Sequence, residues 1–319
     1  MYEDFFGLRE RPFDLSPNPQ YLFLTGRQRE ALSNLHYGLS VRRGFALLLG
    51  DAGTGKTTLL RTALAELDAP EVDYVLISNP TLSRDEFYEA LATGFRLDYA
   101  SKTGFLRKLE ARLQQSLQEN RVCTLVIDEA QSLPNELLEE VRLLSNIETD
   151  TTKLLNVVLV GQPELAERLN RSDLRQLKQR ISLRCELRPF DLNETAGYIA
   201  TRLRLAGGTP AGIFTREAVR VIAQSSAGIP RTINVLCDNA LISGFAASEK
   251  PVGVRIVEEV CRDFDLKPQP PPAVGDASRT SPGAPDAPAP GLDRSDATEP
   301  RSRSSVQPID SLKRQGQRS

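Results

Sequence analysis

Residues 47–60 read LLLGDAGTGKTTLL, an apolar run that breaks into three glycines, a lysine and three threonines. Glycine weakens both strands and helices, so its concentration here implies a backbone that other residues resist. Gly50-Asp51-Ala52-Gly53-Thr54-Gly55-Lys56-Thr57 fits the pattern G-x-x-x-x-G-K-[ST], with a strand-like run before it and the helical run TTLLRTALAEL, which opens on Thr57 and Thr58, after it. Such a loop turns its N–H groups inward as an anion-binding nest. The positive end of the following helix points at the same place. Lys56 is therefore predicted on the β- and γ-phosphate oxygens of a nucleotide, and the Thr57 hydroxyl on a Mg2+ ion that bridges them.

The rest of the folded chain suits this loop. Apolar runs at 44–50, 73–78, 123–128 and 155–161 are too continuous to alternate between core and water. That is how strands read when helices cover both faces of a parallel sheet. Helical patterns lie between them. Ser83 and Glu86 form a capping box before FYEALATGF, and Phe105, Leu109, Leu113 and Leu117 make one stripe. Pro134 suits a first helical turn ahead of Leu137, Leu138, Val141 and Leu144. The alternation predicts an α/β fold. From about Phe190 no further strand is evident. Asp191 and Glu194 cap a helix over 192–205, another starts at Thr215, a third carries Ile233, Leu236, Cys237, Ala240, Leu241 and Gly244 on one face, and a last covers about 253–263. Composition breaks near Pro268. The segment beyond holds 10 of the chain's 21 prolines and no Phe, Tyr or Trp, so it is expected to be disordered.

A second half of the phosphate site appears in TLVIDEAQ at 124–131, where a buried strand ends in two acids. Asp128 is placed to hold the Mg2+ hydration shell, and Glu129, one position on, to polarise an attacking water. Adjacent acids point to a hydrolase rather than a passive nucleotide binder. The net charge of −2 argues against a strongly basic nucleic-acid-binding domain. The N-terminus lacks the pattern of a secretory signal, and no apolar run is long enough for a transmembrane segment. Four dispersed cysteines form no C-x-x-C pair and read as reduced thiols, and the single His36 excludes a multi-histidine metal site.

These residues resemble an AAA+ ATPase. The opening MYEDFFGLRERPFDLSPNPQYLFLTGRQREALSNLHYGL, with LVGQPEL at 159–165 and AGIPRTINVLCDNAL at 227–241, resembles the ExeA/GspA-like ATPases associated with type II secretion and with pilus or exopolysaccharide machinery. The resemblance covers about 1–265. It implies a P-loop AAA+ three-layer parallel sheet with a C-terminal all-helical lid, followed here by the disordered tail. The expected division is an N-terminal adenine-side segment and helix at 1–43, the nucleotide-binding domain at 44–189, the lid at 190–266 and the Pro-rich tail at 267–319. The implied cofactors are ATP and Mg2+.

Further roles follow from the resemblance alone. Gln162 would be the polar sensor-1 group and Arg231, in GIPR, the sensor-2 arginine reaching the nucleotide from the lid. Arg180, before a last strand, would be the finger acting on a neighbouring subunit's ATP, with Arg175 as second choice. Asn79 would restrain Glu129, and the stretch from Phe13 to Tyr21 would lie near the base, although Phe13 suits an ordinary core equally well. The implied function is Mg-ATP hydrolysis that drives assembly or operation of an envelope secretion, pilus or exopolysaccharide system. A homo-oligomer, an inner-membrane or secretion-apparatus protein partner, and a cytoplasmic location peripheral to the inner membrane go with it. Relatives devoted to secretion often continue into a membrane span and a peptidoglycan-binding domain, and neither is seen in this sequence. The alternative is an ATP-dependent DNA-associated switch of transposition-regulator type, for which the basic cluster at 171–184 speaks. A nucleotide-dependent scaffold with negligible hydrolysis is the weaker third reading.

Overall fold

The computed structural model describes residues 1–15, 19–67, 71–78 and 80–267. Asn79 and the expected disordered tail fall outside the described residues, apart from Lys267. In chain order the elements are α1 (Tyr2–Phe6), α2 (Gly26–Ser40), β1 (Phe45–Gly50), α3 (Lys56–Ala65), β2 (Val72–Ile77), α4 (Arg84–Gly94), α5 (Lys102–Gln118), β3 (Val122–Ile127), α6 (Asn135–Leu144), β4 (Leu155–Gly161), α7 (Pro163–Leu169), α8 (Arg175–Lys178), β5 (Ile181–Leu187), α9 (Leu192–Leu205), α10 (Arg216–Ser225), α11 (Pro230–Ala246) and α12 (Val254–Asp263).

The strands form one parallel sheet in the order β2-β3-β4-β1-β5. Every residue of β1, β3 and β4 is buried. Successive side chains point to opposite faces of a strand, and here each face meets its own core. Leu47 and Leu49 of β1, Leu125 and Ile127 of β3, and Val157 and Leu159 of β4 join Phe87, Leu91, Phe105, Leu109, Leu138 and Val141 from the helices α4, α5 and α6. Ala46 and Leu48, Val126, and Val158 and Val160 join Leu35 and Leu39 of α2 and Leu59 and Leu60 of α3 on the other side. Three layers result, and the continuous apolar runs are their cause. Each fully buried Leu or Val contributes roughly 1.5–3 kcal/mol.

The edges look different. In β5, Ser182, Arg184 and Glu186 are exposed while Cys185 and Leu187 are buried, because this strand has a neighbour on one side only. At the other edge, Tyr74 and Leu76 of β2 are exposed.

Two of the expected caps are present. Ser83 with Glu86 starts α4, and Asp191 with Glu194 starts α9, each as a reciprocal capping box. Pro134 stands one residue earlier than expected, as the N-cap of α6 rather than in its first turn. All four cysteines are buried and free. Burial pushes their thiols up, most of all that of Cys237. The His36 ring meets Glu66 at the surface, Nε2 to Oε2 at 2.8 Å.

Helices α9 to α12 enclose a separate core of Ile199, Leu203, Ile222, Ile233, Leu236, Leu241 and Val257. The start of the chain belongs to this core as well: Tyr2, Phe6, Leu8 and Phe13 are all buried in it. Phe13 meets Phe214 edge-to-face, so of its two readings the core is the one found. The Tyr2 hydroxyl donates to Asp238 Oδ1 at 2.5 Å, and Arg9 N donates to Ala206 O at 2.8 Å.

The strand-to-helix junction is tied to the helical core at Gly228. Phe190 N donates to Gly228 O at 2.8 Å. Gly228 has φ +72, and a Cβ there would stand 1.9 Å from the Phe190 carbonyl oxygen. Backbone cannot move aside as a flexible side chain can. Gly228→Ala is therefore expected to lower stability by about 2–4 kcal/mol, read as a fall in thermal midpoint, whereas Ala at the open Gly212 should change it little.

Candidate nucleotide-binding cleft

The strand order sets the site. β1 is flanked by β4 and β5, and β4 separates it from β3. Open parallel sheets bind ligands at the carboxyl ends of their strands. Three such ends supply the predicted groups: Gly50 to Thr57 after β1, Asp128 and Glu129 after β3, and Gln162 after β4.

The loop after β1 is tight. Gly53 has φ +80, and a Cβ on it would meet Arg231 Cβ at 2.9 Å and Ile229 Cγ2 at 3.1 Å. The Thr54 hydroxyl donates to Asp51 O at 2.8 Å. Asp51 and Ala52 are exposed, and Thr54 is buried. Gly55, also left-handed, is the N-cap of α3, whose first helical bond runs from Leu59 N to Gly55 O. The N–H groups of Lys56, Thr57 and Thr58 thus have no partner within the helix, as at any helix start. Lys56 folds back over the loop, its Nζ donating to Gly50 O at 2.8 Å and Asp51 O at 3.0 Å. Burial pushes its amine below the usual lysine range, against the pull of Glu129, Asp128 and Asp51. A desolvated ammonium held by neutral carbonyls is well placed to exchange them for an anion.

Asp128 is 4% exposed. Its Oδ2 accepts from the Thr57 hydroxyl at 2.8 Å and its Oδ1 from Glu129 N at 2.9 Å. Among the described residues no cation pairs with it. A hydroxyl and a carboxylate side by side fit Mg2+, which takes oxygen donors from one or two side chains and the rest from phosphates and water.

Glu129 lines the cleft beside Lys56 and Thr57, with φ +53. Its Oε2 accepts from Gln131 Nε2 at 2.5 Å and from Gln162 Nε2 at 3.3 Å. Gln131 Oε1 in turn accepts from Gln162 N at 3.0 Å, and Arg168 of α7 donates to Gln131 O at 2.6 Å. Gln162 therefore touches Glu129 and is not among the residues lining the cleft. Gln131 carries no distinctive signal in the sequence; the fold alone brings its amide to Glu129.

The cleft has a volume of about 420 Å³. One end is the loop with Lys56, Thr57 and Thr58. Beyond it the cleft is lined by Leu22, Phe23 and Leu24 together with Phe190 and Tyr198, and Phe23 meets both of those rings edge-to-face. Arg231 lies where the helical core meets the loop, with its N donating to Gly53 O at 3.2 Å. Arg180 stands at the opposite end of the sheet, before β5. It donates to Ser145 Oγ at 2.9 Å and to Asn146 Oδ1 at 2.5 Å, within its own chain. Arg175 is exposed on α8. Neither belongs to this chain's cleft.

Comparison with known proteins agrees with this geometry. A family described as an AAA domain matches residues 40–169. General secretion pathway protein A of Aeromonas hydrophila is 43% identical over 249 residues, which cover 77% of this chain and 45% of that protein. The chain thus spans less than half the length of that relative. Among solved structures, Aeropyrum pernix ORC2 in ADPNP-ADP complexes superposes with a TM-score of 0.59 at 17% identity, over 80% of this chain and 71% of that one. Drosophila ORC bound to DNA gives 0.60 at 23% identity, over 80% and 65%. At these identities the structures establish a shared fold.

An anion cradle of this kind stabilises the folded chain when filled. Magnesium tripolyphosphate at a hundred times its dissociation constant is expected to add about 2.7 kcal/mol, seen as a raised thermal midpoint. Lys56→Ala should show little of that rise.

Proposed function

The chain belongs to the ExeA/GspA-like family of AAA+ ATPases, and from that premise we propose that it binds Mg-ATP in this cleft and hydrolyses it. The observation that carries the reading is the meeting of four groups from two strand ends: Lys56, Thr57, Asp128 and Glu129. Lys56 and the first N–H groups of α3 hold the phosphates, and Arg231 adds charge from the helical side. Thr57 and Asp128 would hold Mg2+, which when bound neutralises charge on the phosphate oxygens. Glu129 orients a water and takes its proton as the water oxygen bonds to the γ-phosphorus and the bond to the β–γ bridging oxygen breaks, which releases ADP and phosphate. Gln131 and Gln162 hold its carboxylate in place. Catalysis then comes from positioning and charge, as phosphoryl transfer requires.

Helices α9 to α12 act in this reading as a lid. Its hold on the loop, through Arg231 and Gly53, lets occupancy of the cleft bias its position. In a homo-oligomer Arg180, with Arg175 second, reaches the neighbouring chain's nucleotide. The likeness to general secretion pathway protein A supports service to an envelope secretion apparatus, with a protein partner at the inner membrane. No helix among the described residues is long and apolar enough to cross a membrane. The basic cluster at 171–184 that speaks for DNA is partly offset by an acid of its own, Arg171 lying 3.9 Å from Asp173.

The assignment of roles is tested by two substitutions. Lys56→Ala is expected to abolish nucleotide binding. Glu129→Gln should bind ATP like the wild type while its phosphate release falls by about 100-fold or more. Wild-type turnover in Glu129→Gln would remove Glu129 from the role of base.

A further inference from the structure

The cleft contains a guanidinium that pairs with no carboxylate among the described residues. Arg202 of α9 is 6% exposed, and its Nε and Nη1 are buried with no hydrogen-bond partner. Its Cζ lies 4.8 Å from the centre of the Tyr21 ring and 5.2 Å from that of Tyr198. Both phenols turn their hydroxyls elsewhere, Tyr21 to Glu10 Oε1 at 2.7 Å and Tyr198 to Asn234 Oδ1 at 2.8 Å. They offer Arg202 only their ring faces, and among the described residues no carboxylate forms an ion pair with it. Ring faces attract a cation but satisfy none of its N–H donors. A buried guanidinium left in this state is strongly unfavourable unless something else pairs with it.

Arg202, Tyr21, Tyr198 and Asn234 all line the cleft. We propose that Arg202 is a nucleotide-contacting residue whose Nη2 end, not among the enclosed nitrogens, donates to an acceptor nitrogen on the edge of the purine base. The inference rests on the reading of the cleft as an ATP site. A trail of contacts separates Arg202 from the phosphate loop. Arg231 sits on Gly53; Asn234 follows it by one helical turn on α11; Tyr198 donates to Asn234; and Arg202 follows Tyr198 by one turn on α9. The loop end has its own cation in Lys56. Beside the Arg202 cluster, Phe23 packs edge-to-face on Phe190 and Tyr198 and, with Leu22 and Leu24, gives the cleft an apolar lining that suits a flat base rather than a phosphate. Guanidinium has donors only, so it reads acceptor atoms. The tyrosine faces fix its plane, and pre-organisation of this kind reduces the ordering cost of binding.

The test uses the full chain and three ligands in the presence of magnesium: ATP, ribose 5-triphosphate and inorganic tripolyphosphate. Arg202→Met removes the donors while keeping an unbranched stem. It is expected to weaken ATP by about 10- to 100-fold and to leave the two base-free ligands within about twofold. Without ligand its thermal midpoint should equal or exceed that of the wild type, because an unpaired buried charge has gone. Arg202→Lys, which keeps charge but loses the planar fork, should also weaken ATP alone and covers the case in which Arg202→Met folds poorly. Equal loss for all three ligands, loss shared by ribose 5-triphosphate, or unchanged ATP binding would each overturn the assignment. Wild-type protein that binds none of the three would overturn the ATP reading and this assignment together. Wild-type binding of ATP with an unaffected Arg202→Met overturns this assignment alone.

Discussion

The hydrogen bond from Thr57 to Asp128 joins two strand ends that are not neighbours. β1 and β3 are separated by β4, so their carboxyl ends meet only where a loop reaches across. The glycine-rich loop does this by turning tightly before α3, which brings Thr57 over the tip of β3. Everything proposed for the chemistry depends on that closure. The loop supplies N–H groups and an ammonium, the strand tip supplies two carboxylates, and the space between them suits a triphosphate and its metal. The parallel sheet makes the arrangement rigid, since both faces are covered and its three inner strands are wholly buried.

The helical core is attached to this frame at few points, and those points sit beside the cleft. Phe190 and Gly228 exchange a backbone hydrogen bond where the chain leaves the sheet, and Arg231 rests on Gly53 three residues later. The first residues of the chain are buried in the same helical core, while α2 packs on the sheet. Residues 21 to 24 run between the two and form part of the cleft wall. A ligand there touches segments that belong to both cores. That arrangement supports the proposed coupling of nucleotide occupancy to movement of helices α9 to α12.

Much of this was legible in the sequence, for identifiable reasons. Strands β1, β3 and β4 fall on the apolar runs, within a residue or so, because burial on both faces removes the polar alternation; the edge strand β2 falls on its run because its exposed positions hold the apolar Tyr74 and Leu76. Capping boxes at Ser83 and Asp191 marked two helix starts, since short polar side chains there satisfy otherwise free N–H groups. The α/β class and the AAA+ architecture followed from the loop and the resemblance. β5 was harder: its exposed Ser182, Arg184 and Glu186 break the apolar pattern, and only the resemblance placed a strand there. Strand order leaves no local trace in sequence. The groups proposed to surround the base leave little trace for a similar reason. Tyr198 and Arg202 lie on a helix face with Thr195, Ile199 and Leu203, where the stripe reads as ordinary core. An arginine inside that stripe was the signal. Gln131 was passed over because a glutamine after two acids has no distinctive pattern, although the fold places its amide on Glu129.

The central claim is that the loop and the strand tip together make one triphosphate site per chain. Titration calorimetry of the full chain with a non-hydrolysable ATP analogue and magnesium tests it most directly. The account predicts a saturable heat with one ligand bound per chain, lost when Asp128 is replaced by Ala and magnesium is the only cation supplied. Absence of any saturable heat in the wild type, or an undiminished one in Asp128→Ala, would contradict it.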